Sequence, residues 1–237
     1  MSEILGLSNL IVNSEIVIIK NGNDEKVGVL MDEAEGIGFP ELKSKKFIRI
    51  SPYFQKEMND LQILDTIVMQ MDRYKLNYNI KISEYNTAIG VAGYDNDCSF
   101  NLNTDLTRSL GHVPAIINKE GKIDIPYMSK SLANKILSTD EQIIRETLFG
   151  MLDNEYIQAT IERFLQIKNA IKATLVDRPG FLLEDWEWSE STMMDEINYN
   201  DAIPKDKFKN DDRIFHHELT YFGAFIEELK ENQYLYL

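Results

Sequence analysis

Residues 51–73 read SPYFQKEMNDLQILDTIVMQMDR, and the reading of this stretch decides the fold class. Ser51 supplies a hydroxyl N-cap and Pro52 a first-turn proline, whose missing N–H costs nothing where a helix leaves its donors unpaired anyway. Phe54, Met58, Leu61, Leu64, Val68 and Met71 follow at steps of three and four, so the pattern predicts a helix from about Pro52 to Arg73.

What flanks this helix reads as strand. On its N-terminal side Ser14 to Ile19 is a β-branched apolar run and Asn21-Gly22-Asn23-Asp24 supplies turn chemistry. Lys26 to Met31 resumes with Val27, Val29 and Met31 alternating, which predicts a β-hairpin. An acidic loop (Asp32 to Glu35) and the breaker Gly36-Ile37-Gly38-Phe39-Pro40 lead to a short strand within Lys46 to Ile50. On the C-terminal side Tyr78, Ile80 and Ile82 alternate with polar residues, and Thr87 to Val91 completes a second hairpin with one wet face.

Gly93 to Ile125 is turn-rich, with Asn118-Lys119-Glu120-Gly121 between the short apolar runs Val113 to Ile117 and Ile123 to Ile125. From Tyr127 the spacing turns helical. Ser138-Thr139-Asp140 with Gln142 matches a capping box, Gly150 either ends or weakens the helix it opens, and Ile157, Ile161, Phe164, Ile171 and Leu175 hold one stripe to Val176. Arg178-Pro179-Gly180 stops it. Phe215, Leu219, Phe222, Ile226 and Leu229 form the apolar seam of a final helix from about Asp211 to Glu231. The class is therefore α+β: a β-hairpin-rich N-terminal half with one intervening helix, a helical region over 127–176 and a C-terminal amphipathic helix. The expected organisation is a main domain over 1–178, an acidic aromatic connecting segment over 179–204, and a helix within 205–237 that packs on the main domain or on a partner.

With 237 residues, 43% of them hydrophobic, the chain can bury a sizeable core without metal or disulfide staples. Its single cysteine, Cys98, excludes an intrachain disulfide and removes the disulfide-stapled secreted class. The 39 acidic residues outnumber the 25 basic ones, for a net charge of −14, which repels phosphate backbones and anionic lipid, so neither direct nucleic-acid binding nor a membrane partner is expected. Glu3 and the lack of a basic region in Met1 to Leu10 argue against a signal peptide, and the expected location is cytoplasmic or virion-associated.

The most unusual local feature is the run between Pro179 and Pro204. It holds seven carboxylates and no basic residue, interleaved with Phe181, Trp186, Trp188 and Tyr199. Trp186, Trp188 and Tyr199 are candidate anchors for a partner protein, with Glu184, Asp185 and Glu187 speeding encounter with a basic surface. The same carboxylates could instead imitate a phosphate backbone, and the plain structural reading is a connecting segment whose tryptophans cap the core. Asp95, Asp97, Ser99 and Asn101 place oxygens at alternate positions, as a hard cation requires, but Phe100 and Leu106 stand where a calcium loop needs Gly and Glu, so a polar turn is the better reading.

His216 and His217 are adjacent, point about 100° apart on a helix and cannot share one metal. His112 follows Gly111 and precedes Val113-Pro114 in a loop, a position that fixes no role for it. Gly36-Ile37-Gly38 lacks the third glycine of a dinucleotide loop and reads as a strand-connecting turn. Carboxylates around Cys98 oppose thiolate formation. No Walker lysine loop, G-x-S-x-G elbow or paired-cysteine zinc site is present, and no cofactor is implied.

These features favour a non-enzymatic structural or assembly protein that acts through protein–protein surfaces, its partners including copies of itself. Ile-, Asn- and Lys-rich usage suits AT-rich coding, and a bacteriophage virion connector, neck or tail component is the most specific expectation. The alternatives are an acidic inhibitor or nucleic-acid mimic that blocks a basic active site, and a metal-dependent hydrolase using Asp95, Asp97 and either His112 or His216.

Overall fold

The computed structural model describes residues 1–21, 24–42, 44–45, 48–203 and 219–231. In chain order these form α1 (Ser2–Leu5), β1 (Ser14–Asn21), β2 (Asp24–Met31), α2 (Phe39–Leu42), β3 (Arg49–Ile50), α3 (Pro52–Val68), β4 (Tyr78–Ile82), β5 (Thr87–Gly93), β6 (Met128–Ser129), α4 (Lys130–Ser138), α5 (Glu141–Leu148), α6 (Asn154–Asp177), β7 (Leu182–Leu183), α7 (Glu190–Asp201) and α8 (Tyr221–Glu231). The fold is α+β. Its strands make three small sheets: β1 with β2, the order β3-β5-β4, and β6 with β7.

The helix α3 is the centre of the molecule, with every residue from Phe54 to Gln70 buried. It starts as expected: Ser51 Oγ accepts the Tyr53 N–H and Pro52 fills the first turn. β5, β6, α6, α7 and α8 all pack against it, so an element with only one apolar stripe is covered on every side. Its polar side chains must then find partners inside the protein, since a buried polar group left unpaired costs about 1–3 kcal/mol.

Most of them do. Glu57 accepts the Val91 N–H at 2.8 Å and the Asn9 amide at 3.0 Å. This bond explains Gly90 in β5, because a Cβ there would lie 2.5 Å from Glu57 Oε2. Gly90→Ala is expected to push Glu57 off Val91 and lower stability by roughly 1–3 kcal/mol, read from the denaturant midpoint; an unchanged midpoint would show that the carboxylate can move freely. On another flank Glu196 of α7, fully inside, accepts from Gln55, Asn59 and Thr220 at 2.6–3.0 Å. Ser189 and Thr192 close a capping box at the start of α7.

Two arginines finish the axis. Arg163 of α6, with no exposed surface, donates to the carbonyls of Ile67, Asn101 and Asn103 and so satisfies the end of α3, where helix carbonyls lack partners. Burial, only partly offset by the Glu162 carboxylate, pushes its guanidinium down to about 10. Arg73 folds back on Asp65, with Nε 2.8 Å from Oδ2, and the Tyr221 hydroxyl donates to the same carboxylate at 3.1 Å. Phe54 meets Phe225 at 4.8 Å between ring centroids, which seats α8 on the start of α3.

Several boundaries differ from the sequence expectation. α3 ends at Val68 rather than Arg73, because Met69 takes a left-handed conformation, φ 52°, and Arg73 must return to Asp65. The region 127–176 opens with a two-residue strand and divides into α4, α5 and α6. Asp140, not Thr139, accepts the Gln142 N–H, and Gly150 at φ 82° turns the chain between α5 and α6. Part of the acidic segment is the helix α7. Lys46 and Phe47 lie outside the described residues, as do Asp211 to Glu218 with Phe215 and the His216–His217 pair.

Candidate functional site: an apolar hairpin in solvent

Among the described residues β1 and β2 pair only with each other, in the register Ser14 to Met31, Ile16 to Val29, Ile18 to Val27 and Lys20 to Glu25. Side chains alternate across a ribbon, so these eight residues share one face. That face should be either covered or polar, and it is neither. Ile16 is 79% exposed, Ile18 63%, Val27 76%, Val29 69% and Met31 47%. Its only charges, Lys20 and Glu25, neutralise each other across the strands at 2.8 Å. On the opposite face Ile19 and Leu30 are more than half exposed, and Ile19 lies over Gly28.

A two-stranded ribbon is marginal in water by itself. β-branched residues hold this one extended through cross-strand pairs such as Ile16–Val29 and Ile18–Val27, each worth a few tenths to 1 kcal/mol. Fully burying an aliphatic side chain of this size is worth about 1.5–3 kcal/mol, so a partner that covers the face gains on the order of 5–10 kcal/mol before association costs. Both outer edges also leave backbone groups available for strand addition.

The residues singled out from the sequence lie elsewhere, with Asp185, Trp186 and Glu187 consecutive and exposed. Trp186 is 80% exposed while Trp188 is buried, its ring edge-on to Tyr127 at 6.5 Å and its Nε1 without a hydrogen-bond partner among the described residues. Glu184 pairs with Lys130 at 2.6 Å, Asp185 lies 3.8 Å from Lys56, and Glu187 accepts the Glu184 N–H. The Tyr199 hydroxyl donates to Asp124 at 3.0 Å, and burial together with that carboxylate raises it well above the usual phenol range. Tyr127 is pushed up to about 12 by burial and by its bond to Asp195.

Asp95 and Asp97 are exposed, and Asp95 takes φ 56°. Asn101, Asn103 and Asp105 each accept the N–H two residues on, a chain of Asx turns. Among the described residues no group of three His, Cys, Asp or Glu could hold a metal ion, and no helix is long and apolar enough to cross a membrane.

The hairpin itself was readable but its exposure was not. The sign available in the sequence was apolar residues on both faces, with Val17, Ile19 and Leu30 beside the alternating set. Comparison with protein-family models, curated proteins and solved structures found no match.

Proposed function

We propose that this protein is a non-enzymatic assembly protein that acts through protein–protein surfaces in a larger complex, with the β1–β2 hairpin as its docking arm. The observation that carries the reading is the apolar, largely β-branched face of the ribbon standing in solvent with its one lysine and one glutamate paired to each other, since exposed apolar patches of this kind mark interaction sites. The net charge of −14 supports a protein partner over nucleic acid or anionic lipid. A bacteriophage virion connector, neck or tail component is the setting that the residue usage supports.

The test replaces Ile16, Ile18 and Val27 together by threonine, which keeps the β-branched shape and therefore the ribbon. Three lost apolar contacts amount to roughly 3–4 kcal/mol, about 100- to 1,000-fold in affinity. The triple variant is expected to keep the wild-type unfolding midpoint and to be missing from the native assembly when that is isolated from the source. Full incorporation of the variant would sink the proposal.

A further inference from the structure

Away from the hairpin, α8 and the loop before β4 enclose a cavity of about 110 Å³ whose wall includes Met58, Tyr74, Tyr78, His112, Ala224 and Phe225. The Tyr74 and His112 rings lie 5.5 Å apart at 31° and give it a flat side, while Met58, Ala224 and Phe225 are apolar. For comparison, an apolar cavity of about 150 Å³ takes benzene. This cavity is somewhat smaller but opens to solvent, so a single six-membered ring can enter it.

The polar fittings narrow the ligand further. Tyr78 lines the cavity at 7% exposure; its hydroxyl makes no hydrogen bond with a described residue and is not one of the fully buried unpaired atoms, so a ligand in the cavity can bond it. The cations of the wall are already engaged. Arg73 is held by Asp65, Asn77, Tyr94 and Asn96, and Lys75 pairs with Glu228 at 2.6 Å. An anionic ligand would have to break one of these pairs, whereas a neutral ring carrying one hydroxyl leaves both intact.

We propose that this cavity is a binding site for a neutral phenol-type ring, the ring held against Met58, Phe225 and the Tyr74–His112 pair, and its hydroxyl hydrogen-bonded to Tyr78. The ring can arrive on a free small molecule or as a tyrosine side chain of another protein. The chemistry is the same in both cases.

The test titrates the full chain with phenol, with benzoate as the charged control, following the Met58 methyl resonance and the unfolding midpoint. Phenol at millimolar concentration is expected to shift the methyl signal and raise the midpoint, as any ligand specific to the native state must; benzoate does neither. Tyr78→Phe should weaken phenol about tenfold. Ala224→Leu, at a half-buried position in α8, fills the cavity and should abolish binding while the protein stays folded. N-acetyltyrosinamide separates the sources: binding at least as tight as phenol assigns the site to a protein side chain, weaker binding to a free molecule. The inference is overturned if phenol leaves the Met58 signal in place, if benzoate binds as well, or if Ala224→Leu still binds phenol.

Discussion

Arg73→Met is expected to lower the unfolding free energy by about 3–5 kcal/mol, the cost of leaving one member of a buried ion pair alone. Arg73 and Asp65 each show only 1% side-chain exposure, so water cannot replace the lost partner. The guanidinium also bonds the Asn77 and Tyr94 carbonyls, and its loss strips the turn that connects α3 to β4. A double-mutant cycle isolates the pair. Asp65→Asn on top of Arg73→Met removes the orphaned charge and should recover at least about 1 kcal/mol of the loss. Strict additivity of the two substitutions in chemical denaturation would mean that the charges do not stabilise each other.

The second large effect is on pH dependence. Asp60 is 1% exposed, and burial, only partly offset by Lys56 at 3.1 Å, pushes its carboxyl up to about 7. In the unfolded chain the same group titrates near 3.9. The native state therefore holds the proton to higher pH, and this contribution to stability is complete below about pH 4 and is lost as pH rises through 7. The loss reaches up to about 4 kcal/mol.

Glu57 and Glu196 are also raised, chiefly by burial, and act in the same direction. The protein should thus be more stable at pH 5 than at pH 8. Asp60→Asn, which stays neutral and can donate from the site, should flatten the curve and exceed the wild type at pH 8 while Lys56 keeps Asp185 and the Tyr53 ring as neighbours. Thermal melts across this range check it; wild-type stability that climbs from pH 4 to 7 would contradict the assignment.

What the sequence made legible was local. The cap at Ser51, the start of a helix near Gln142, the two hairpins and the stripe from Ile157 to Ile171 all follow from signals within a few residues of one another. The burial of α3 on every side was not legible, because Gln55, Asn59, Gln62 and Asp65 look like a solvated face until partners more than a hundred residues away, Thr192, Glu196 and Tyr221, are brought to them. Within the acidic run the neighbours were not legible either: Glu196 is buried and hydrogen-bonded, and Glu184 and Asp185 lie beside Lys130 and Lys56. For the hairpin the strands were plain, yet alternation alone cannot say whether the apolar face meets a core. Only the exposure of that face, with no third strand beside β1 or β2 among the described residues, reveals that it does not.

The docking role of the hairpin is tested most directly by placing a photo-crosslinking residue, p-benzoylphenylalanine, at Val27 and irradiating the protein in its native source. The account predicts one discrete cross-linked species, either a second copy or a single other protein, whose yield falls about tenfold or more when Ile16 and Ile18 are threonine. The absence of any discrete product from protein present at its normal level would contradict it.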